Sequence, residues 1–207
     1  SRFFFALCFK KWEGATPKMI QFLKKNSNLI AYLALAAVIS LLLAGVISMP
    51  GFIIGEDIAF PLTKNQVLQT IRAGFSTWYF NELFAYRNYS VGNFFITQGM
   101  HYLFSLLGIS SVIFVKSVIF SVFYLAAAGM FSLLRYLKAS VLTSFIGAIF
   151  YITTPIIFNY TIMGWFYLFF AIGLMPLSVK YFLRAFNEKR EDYAVVCGIF
   201  YALSFIQ

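Results

Sequence analysis

Two adjacent carboxylates, Glu56 and Asp57, stand in the segment Gly55-Glu56-Asp57-Ile58-Ala59-Phe60-Pro61. The segment lies just beyond a hydrophobic run, residues 29–47, that is long enough to cross a bilayer. Carboxylates at a membrane boundary are costly to desolvate, so their presence there points to a task. Two chemistries suit them. A carboxylate within reach of a hydroxyl can take its proton as general base. Its oxygens also make it a ligand for a divalent metal, Mg²⁺ or Mn²⁺, with Asp57 the candidate. Neighbouring side chains on an extended segment point to opposite faces, so one of the two acids serves a given site. The bland alternative is a pair of solvated acids at a helix N-terminus.

Cations nearby in sequence supply the complementary charge. Lys116 falls a turn or two inside a second long apolar run, and Arg72 and Arg87 follow the acidic segment. Each suits a phosphate, arginine best because its planar fork matches two oxygens. The default role of all three is to anchor the chain at the membrane interface, stem on apolar surface and charge in water. His101 is the single histidine. It has no second imidazole for a metal site; it can contact a phosphate, donate a hydrogen bond or pack in a core. Trp78, Tyr79, Tyr86, Tyr89 and Trp165 can stack on sugar rings, although aromatic belts at membrane interfaces are the commoner use.

The composition says what must position these residues. Of 207 residues, 61% are hydrophobic and 21% aromatic, with 27 Phe and only 11% charged. Soluble domains average about 25% charged residues. The expected fold class is therefore all-α, a polytopic integral membrane protein. About five transmembrane helices fit the length, at roughly 20 residues each. The expected spans are residues 29–47, 111–134, 141–157 and 164–183, with a fifth beginning near Ala194. That last run reaches about 13 residues before Gln207, so the chain is expected to continue. Residues 1–28 read as a basic cytoplasmic or interfacial segment. Residues 48–110 read as a long external loop with two juxtamembrane amphipathic helices, near 64–75 and 75–89. Residues 94–107 are apolar but contain Gln98, Gly99 and His101, and read as interfacial or re-entrant.

Charge sets the expected orientation. If residues 94–107 do not cross, 12 of the 16 Lys and Arg collect on one side. The positive-inside rule makes that side cytoplasmic and the acidic segment extracytoplasmic, in a multi-pass protein of the cell membrane. The same reasoning absorbs the net charge of +9 without a nucleic-acid partner. No P-loop, zinc spacing or dinucleotide fingerprint occurs. The triplets Asn88-Tyr89-Ser90 and Asn159-Tyr160-Thr161 are glycosylation sequons on the expected outer side. Cys8 and Cys197 fall near the inner side, where a disulfide is not expected.

The order of these features resembles the N-terminal part of GT-C glycosyltransferases. The Gly55–Pro61 motif followed by Asn65-Gln66 is most similar to their arabinofuranosyltransferase and YfhO-like branch. The likeness covers about residues 29–207. It implies a polyprenyl-phosphate sugar donor, an extracytoplasmic acceptor, and Asp57 as the loop aspartate with Glu56 its neighbour. Family members use this acid either as base or as metal ligand. Lys116, Arg72, Arg87 and His101 are then the candidates for the donor phosphate. Membrane lipids are expected partners. Two other classes remain open: a non-catalytic membrane subunit of a larger complex, and a lipid or solute transporter. The transporter reading predicts charges deep in several spans or inverted repeats, and no convincing repeat is visible.

Overall fold

The structure, a computed structural model, describes residues 25–50, 78–80, 85–87, 91–157 and 166–205, with Asn65 and Leu68 singly. Side chains are described for residues 25–50, 65, 68, 99–157 and 171–203. Glu56, Asp57 and Arg72 lie outside these residues. So do the basic segment 1–24, Cys8, Trp165, both sequons and most of the expected helix over 64–75.

Helices dominate, as the composition requires. Helix α1 (Ser27–Leu42) runs into the short α2 (Ala44–Ser48) through Leu43. The hydrogen-bond ladder carries on across the junction, with Leu43 N–H on the Ile39 carbonyl and Ile47 N–H on the Leu43 carbonyl. Residues 27–48 thus rise about 33 Å, which matches a bilayer core of about 30 Å. After a short hairpin come α3 (Val91–Leu106), α4 (Ser111–Tyr136), α5 (Val141–Ile152), α6 (Phe166–Glu188) and α7 (Glu191–Phe205).

Helix α4 is the centre of the bundle. Its 26 residues make it the one described helix that is by itself long and apolar enough to cross a membrane, with a mean hydropathy of 2.0. Phe114, Ile119, Val122, Ala126, Ala127 and Phe131 are buried along it. Helix α1 lays a stripe at spacing four, Ala31, Leu35, Ile39 and Leu43, into the same core. Tyr32 meets Phe131 edge-on at 5.0 Å. Helix α5 contributes Ser144, Ala148 and Ile152.

The register of contacts gives the directions. Asn28 reaches Arg135, and Ile47 reaches Lys116, so α1 runs antiparallel to α4. Gly173 packs on Ala126, Pro176 on Gly129, and Lys180 on Ser132, so α6 runs parallel to α4. Helix α7 returns antiparallel on α6, with Cys197 against Ser178 and Tyr193 against Arg184. Two glycines allow α4 and α6 to approach closely. A β-carbon on Gly129 would stand 3.2 Å from Leu177 Cγ and 3.4 Å from the Gly173 carbonyl oxygen. Small residues at such crossings are how helices associate in lipid, where burial alone gives no drive.

Two connectors repeat one device. Gly108 and Lys138 take φ of 74° and 64° just past the ends of α3 and α4. The next residue then donates back into the helix, Ile109 to Phe104 and Ala139 to Leu134, both at 3.0 Å. Ser110 and Ser140 follow as N-caps of the next helix, accepting from Ile113 and Thr143 backbone N–H groups. A left-handed C-terminal residue followed two positions later by a serine cap turns the chain in few residues.

Four expectations are revised. The amphipathic helix expected near 75–89 is replaced by an antiparallel hairpin, β1 (Trp78–Phe80) with β2 (Ala85–Arg87), Trp78 opposite Arg87. Aromatic residues favour the pleated conformation, and here that preference overrides the helical spacing. The third expected span stops at Ile152 rather than 157. Pro155 disfavours helical geometry at Thr154, and the Thr153 and Thr154 hydroxyls bond back to the carbonyls of Ile149 and Tyr151. Twelve residues rise only about 18 Å. Helix α6 extends beyond Leu183 to Glu188, and α7 begins at Glu191 rather than Ala194.

Candidate functional site

The contacts sort the described cations to two ends of the bundle. Lys25, Arg135, Lys138, Lys180, Arg184, Lys189 and Arg190 lie at the end where α1 begins and α4 and α6 finish. Among the cations whose side chains are described, Lys116 is the one at the opposite end, where α2 finishes and the chain leads on toward the acidic segment.

At that end Lys116 does one well-defined thing. Its Nζ donates to the carbonyl of Ile47 at 2.9 Å and to that of Met49 at 2.5 Å. The first belongs to the last turn of α2, whose carbonyls have no helical N–H to receive, and the second to the extended residue that follows the helix. The ammonium therefore neutralises the negative end of a helix and fixes the chain at Met49, six residues before Gly55. Of the roles open to Lys116, the structure supplies helix capping across 67 and 69 residues of sequence. A lysine has three donors, and two are used here.

His101 lies in the last two turns of α3 and is fully buried at 0% exposure. Its Nε2 is 2.8 Å from Ser111 Oγ. Its ring stacks on Phe114, centroids 4.6 Å apart and planes within 3°. Phe104 closes the group edge-on against Phe114 at 5.2 Å. Burial holds the imidazole below its ordinary pKa, which keeps it neutral. Packing is thus the role this histidine fills, and it ties α3 to the first turn of α4.

Arg87 ends β2 opposite Trp78, which puts it in the hairpin and not on a helix. The structure brings Lys116 and His101 to one end of α4, within about two turns of each other along the helix. Among the described residues no three His, Cys, Asp or Glu side chains come together. The candidate metal ligand Asp57 lies outside them.

The basic end holds a cluster that sequence reading passed over. Arg184 grips Glu188 with Nε–Oε1 at 2.9 Å and Nη2–Oε2 at 3.3 Å. Its guanidinium lies 3.9 Å from the Tyr193 ring centroid, and that of Arg190 lies 4.7 Å from the same ring. Arg190 in turn grips Asp192 at 3.0 and 2.5 Å. The hydrogen bonds from the two arginines hold the Glu188 and Asp192 carboxyls below their usual range. The Arg184–Glu188 spacing of four was the visible signal. The shared tyrosine was not, since it comes from the next helix.

Compared with protein-family models, with curated proteins and with solved structures, the chain finds no match.

Proposed function

We propose that this chain is the N-terminal membrane module of a glycosyltransferase that moves a sugar from a polyprenyl-phosphate donor to an acceptor hydroxyl outside the membrane. Five spans are assigned to the continuous α1–α2 rod, α4, α5 with the chain that follows it, α6 and α7. The basic end faces the cytoplasm and the Lys116 end faces out. In this reading Asp57, with Glu56 beside it, takes the acceptor proton as the glycosyl bond breaks. Arg72 and Arg87 balance the charge of the departing phosphate. Lys116 is a positioning residue, and His101 is a packing residue.

One observation supports the reading above the rest. The Lys116 grip on Ile47 and Met49 fixes the end of α2, from which the chain runs on in sequence to Glu56 and Asp57. A catalytic acid on a segment that leaves a rigid helix loses less entropy on binding substrate. The expected result is that Asp57→Asn abolishes glycosyl transfer, mainly through kcat, while helix content and donor-lipid binding stay as in the parent chain. Full activity in this variant removes the assignment.

A second reading is a non-catalytic membrane subunit. It is favoured by the fact that Lys116 and His101, the two candidates whose side chains are described, both bond within the fold, Lys116 to the Ile47 and Met49 carbonyls and His101 to Ser111. Purification with stable partners and no transfer activity under any donor would decide for it.

A further inference from the structure

The last two turns of α3 are anchored to the bundle differently from the other helices. Among the side chains described there, Met100, Leu103 and Leu106 are exposed and His101 is the one fully buried. Phe104 is half-buried against Phe114. Helix α1, by contrast, is anchored by the apolar residues Ala31, Leu35, Ile39 and Leu43, which carry no charge at any pH. The buried anchor of α3 is an imidazole, the side chain whose ordinary pKa lies in the physiological range. Its connector has room to change its angle. Gly108 takes φ 74°, and a β-carbon there would meet nothing within 4 Å.

The described groups around this imidazole differ in which protonation state they favour. Ser111 Oγ, 2.8 Å from Nε2, can accept from the protonated ring or donate to the neutral one, so it selects neither. The Phe114 face, stacked at 4.6 Å, attracts a cation and offsets part of the cost of charging the ring. Against it stands burial, which strips an imidazolium of water. Lys116, two residues beyond Phe114 on α4, adds a charge of the same sign. Tyr102, the neighbour of His101 on α3, brings a phenol. The described carboxylates, Glu188, Glu191 and Asp192, belong to the α6–α7 turn at the basic end. Burial prevails, and the ring's pKa is lowered. We infer that the end of α3 is a pH-gated latch. Protonation of His101 releases it from α4 about Gly108 and uncovers Ser111 and Phe114, while α1 and α4 to α7 stay packed. Each pH unit by which burial lowers the imidazole's pKa is worth about ten-fold in the opening equilibrium, once pH falls below the closed-state value. The inference is independent of glycosyl transfer.

The test uses the whole chain in detergent, with Cys8→Ala and Cys197→Ala so that spin labels go only where cysteines are placed. One pair sits at Leu103 on α3 and Leu142 on α5, both exposed. A reference pair sits at Ile113 on α4 and Leu142, and ignores α3. Pulsed dipolar spectroscopy on the first pair is expected to give one distance at pH 7.5. A second population should appear as pH falls below about 6.5, about ten-fold or more above its level at pH 7.5 when pH reaches about 4.5. The reference pair should keep its distance throughout. His101→Phe keeps a ring on Phe114 and should stay closed at both pH values. His101→Gln should give the same distances at both pH values, whatever its degree of opening. A first pair that does not respond to pH overturns the proposal, and so does a response that survives in both variants. A reference pair that shifts together with the first also overturns it, because the whole bundle is then coming apart rather than α3 alone.

Discussion

His101 shows how one side chain can report on a junction. Its burial favours the neutral imidazole, whereas in the unfolded chain it titrates near 6.5. The unfolded state therefore binds more protons below that pH. Stability is unaffected above about 7 and falls as pH drops through about 6.5 toward the lowered folded value. Glu188 and Asp192, both held below their usual range, lose their contribution only at lower pH. A thermal midpoint that falls between pH 7.5 and 5.5 is expected, and His101→Phe should flatten it while keeping the stack on Phe114. A midpoint with the same slope in both proteins would show that His101 does not carry the effect.

At the scale of the element, Pro176 is the informative break. It sits inside α6 and removes the N–H that would bond the Ile172 carbonyl. That carbonyl instead accepts the Tyr151 hydroxyl from α5 at 2.8 Å. A helix defect is thus satisfied by a neighbouring helix, which is how such defects persist in lipid. Tyr151→Phe should cost about 1 kcal/mol. In a Pro176→Ala background the cost should shrink, because the helix then satisfies its own carbonyl. Equal costs in a double-mutant cycle would show the two are uncoupled. The glycines divide in the same way. Gly129→Val should destabilise by about 1–3 kcal/mol, since its β-carbon meets Leu177 and the Gly173 backbone. Gly198 has open space around it, so Gly198→Ala should stabilise α7 by about 0.5–1 kcal/mol. Denaturation in detergent distinguishes these signs.

For the whole molecule, the sorting of charge makes the sharpest statement. The four helices α4 to α7 alternate in direction, and α1 opposes α4, which brings the seven described cations at the basic end together from three separate stretches of chain. With that end cytoplasmic, single cysteines placed at Lys138 and Lys189 should be protected from an impermeant maleimide in intact cells, and one at Asn65 should react. Labelling at 138 with protection at 65 would reverse the arrangement.

Much of this was written in the chain itself. Low charge and high aromatic content set the preferred solvent of most side chains, because transfer free energy belongs to each residue separately. Helix after helix, and the clustering of Lys and Arg beside apolar runs, followed from that. The position of the acids Glu56 and Asp57 beyond the first run is likewise a property of the sequence, whereas the expected third span ran through Pro155 to 157 and only the structure ended it at Ile152. Other features needed the tertiary structure. Lys116 takes its partners from 67 and 69 residues away, and those carbonyls are available only because α2 ends beside the first turns of α4. His101 became a core residue because α3 folds back across Gly108 onto Phe114. The aromatic spacing over 78–87 read as the face of an amphipathic helix, and only the pairing of Trp78–Phe80 with Ala85–Arg87 showed strands there. Hydrophobicity and local propensity are summed along the chain, but hydrogen-bond partners and close approaches depend on which helix ends meet in space.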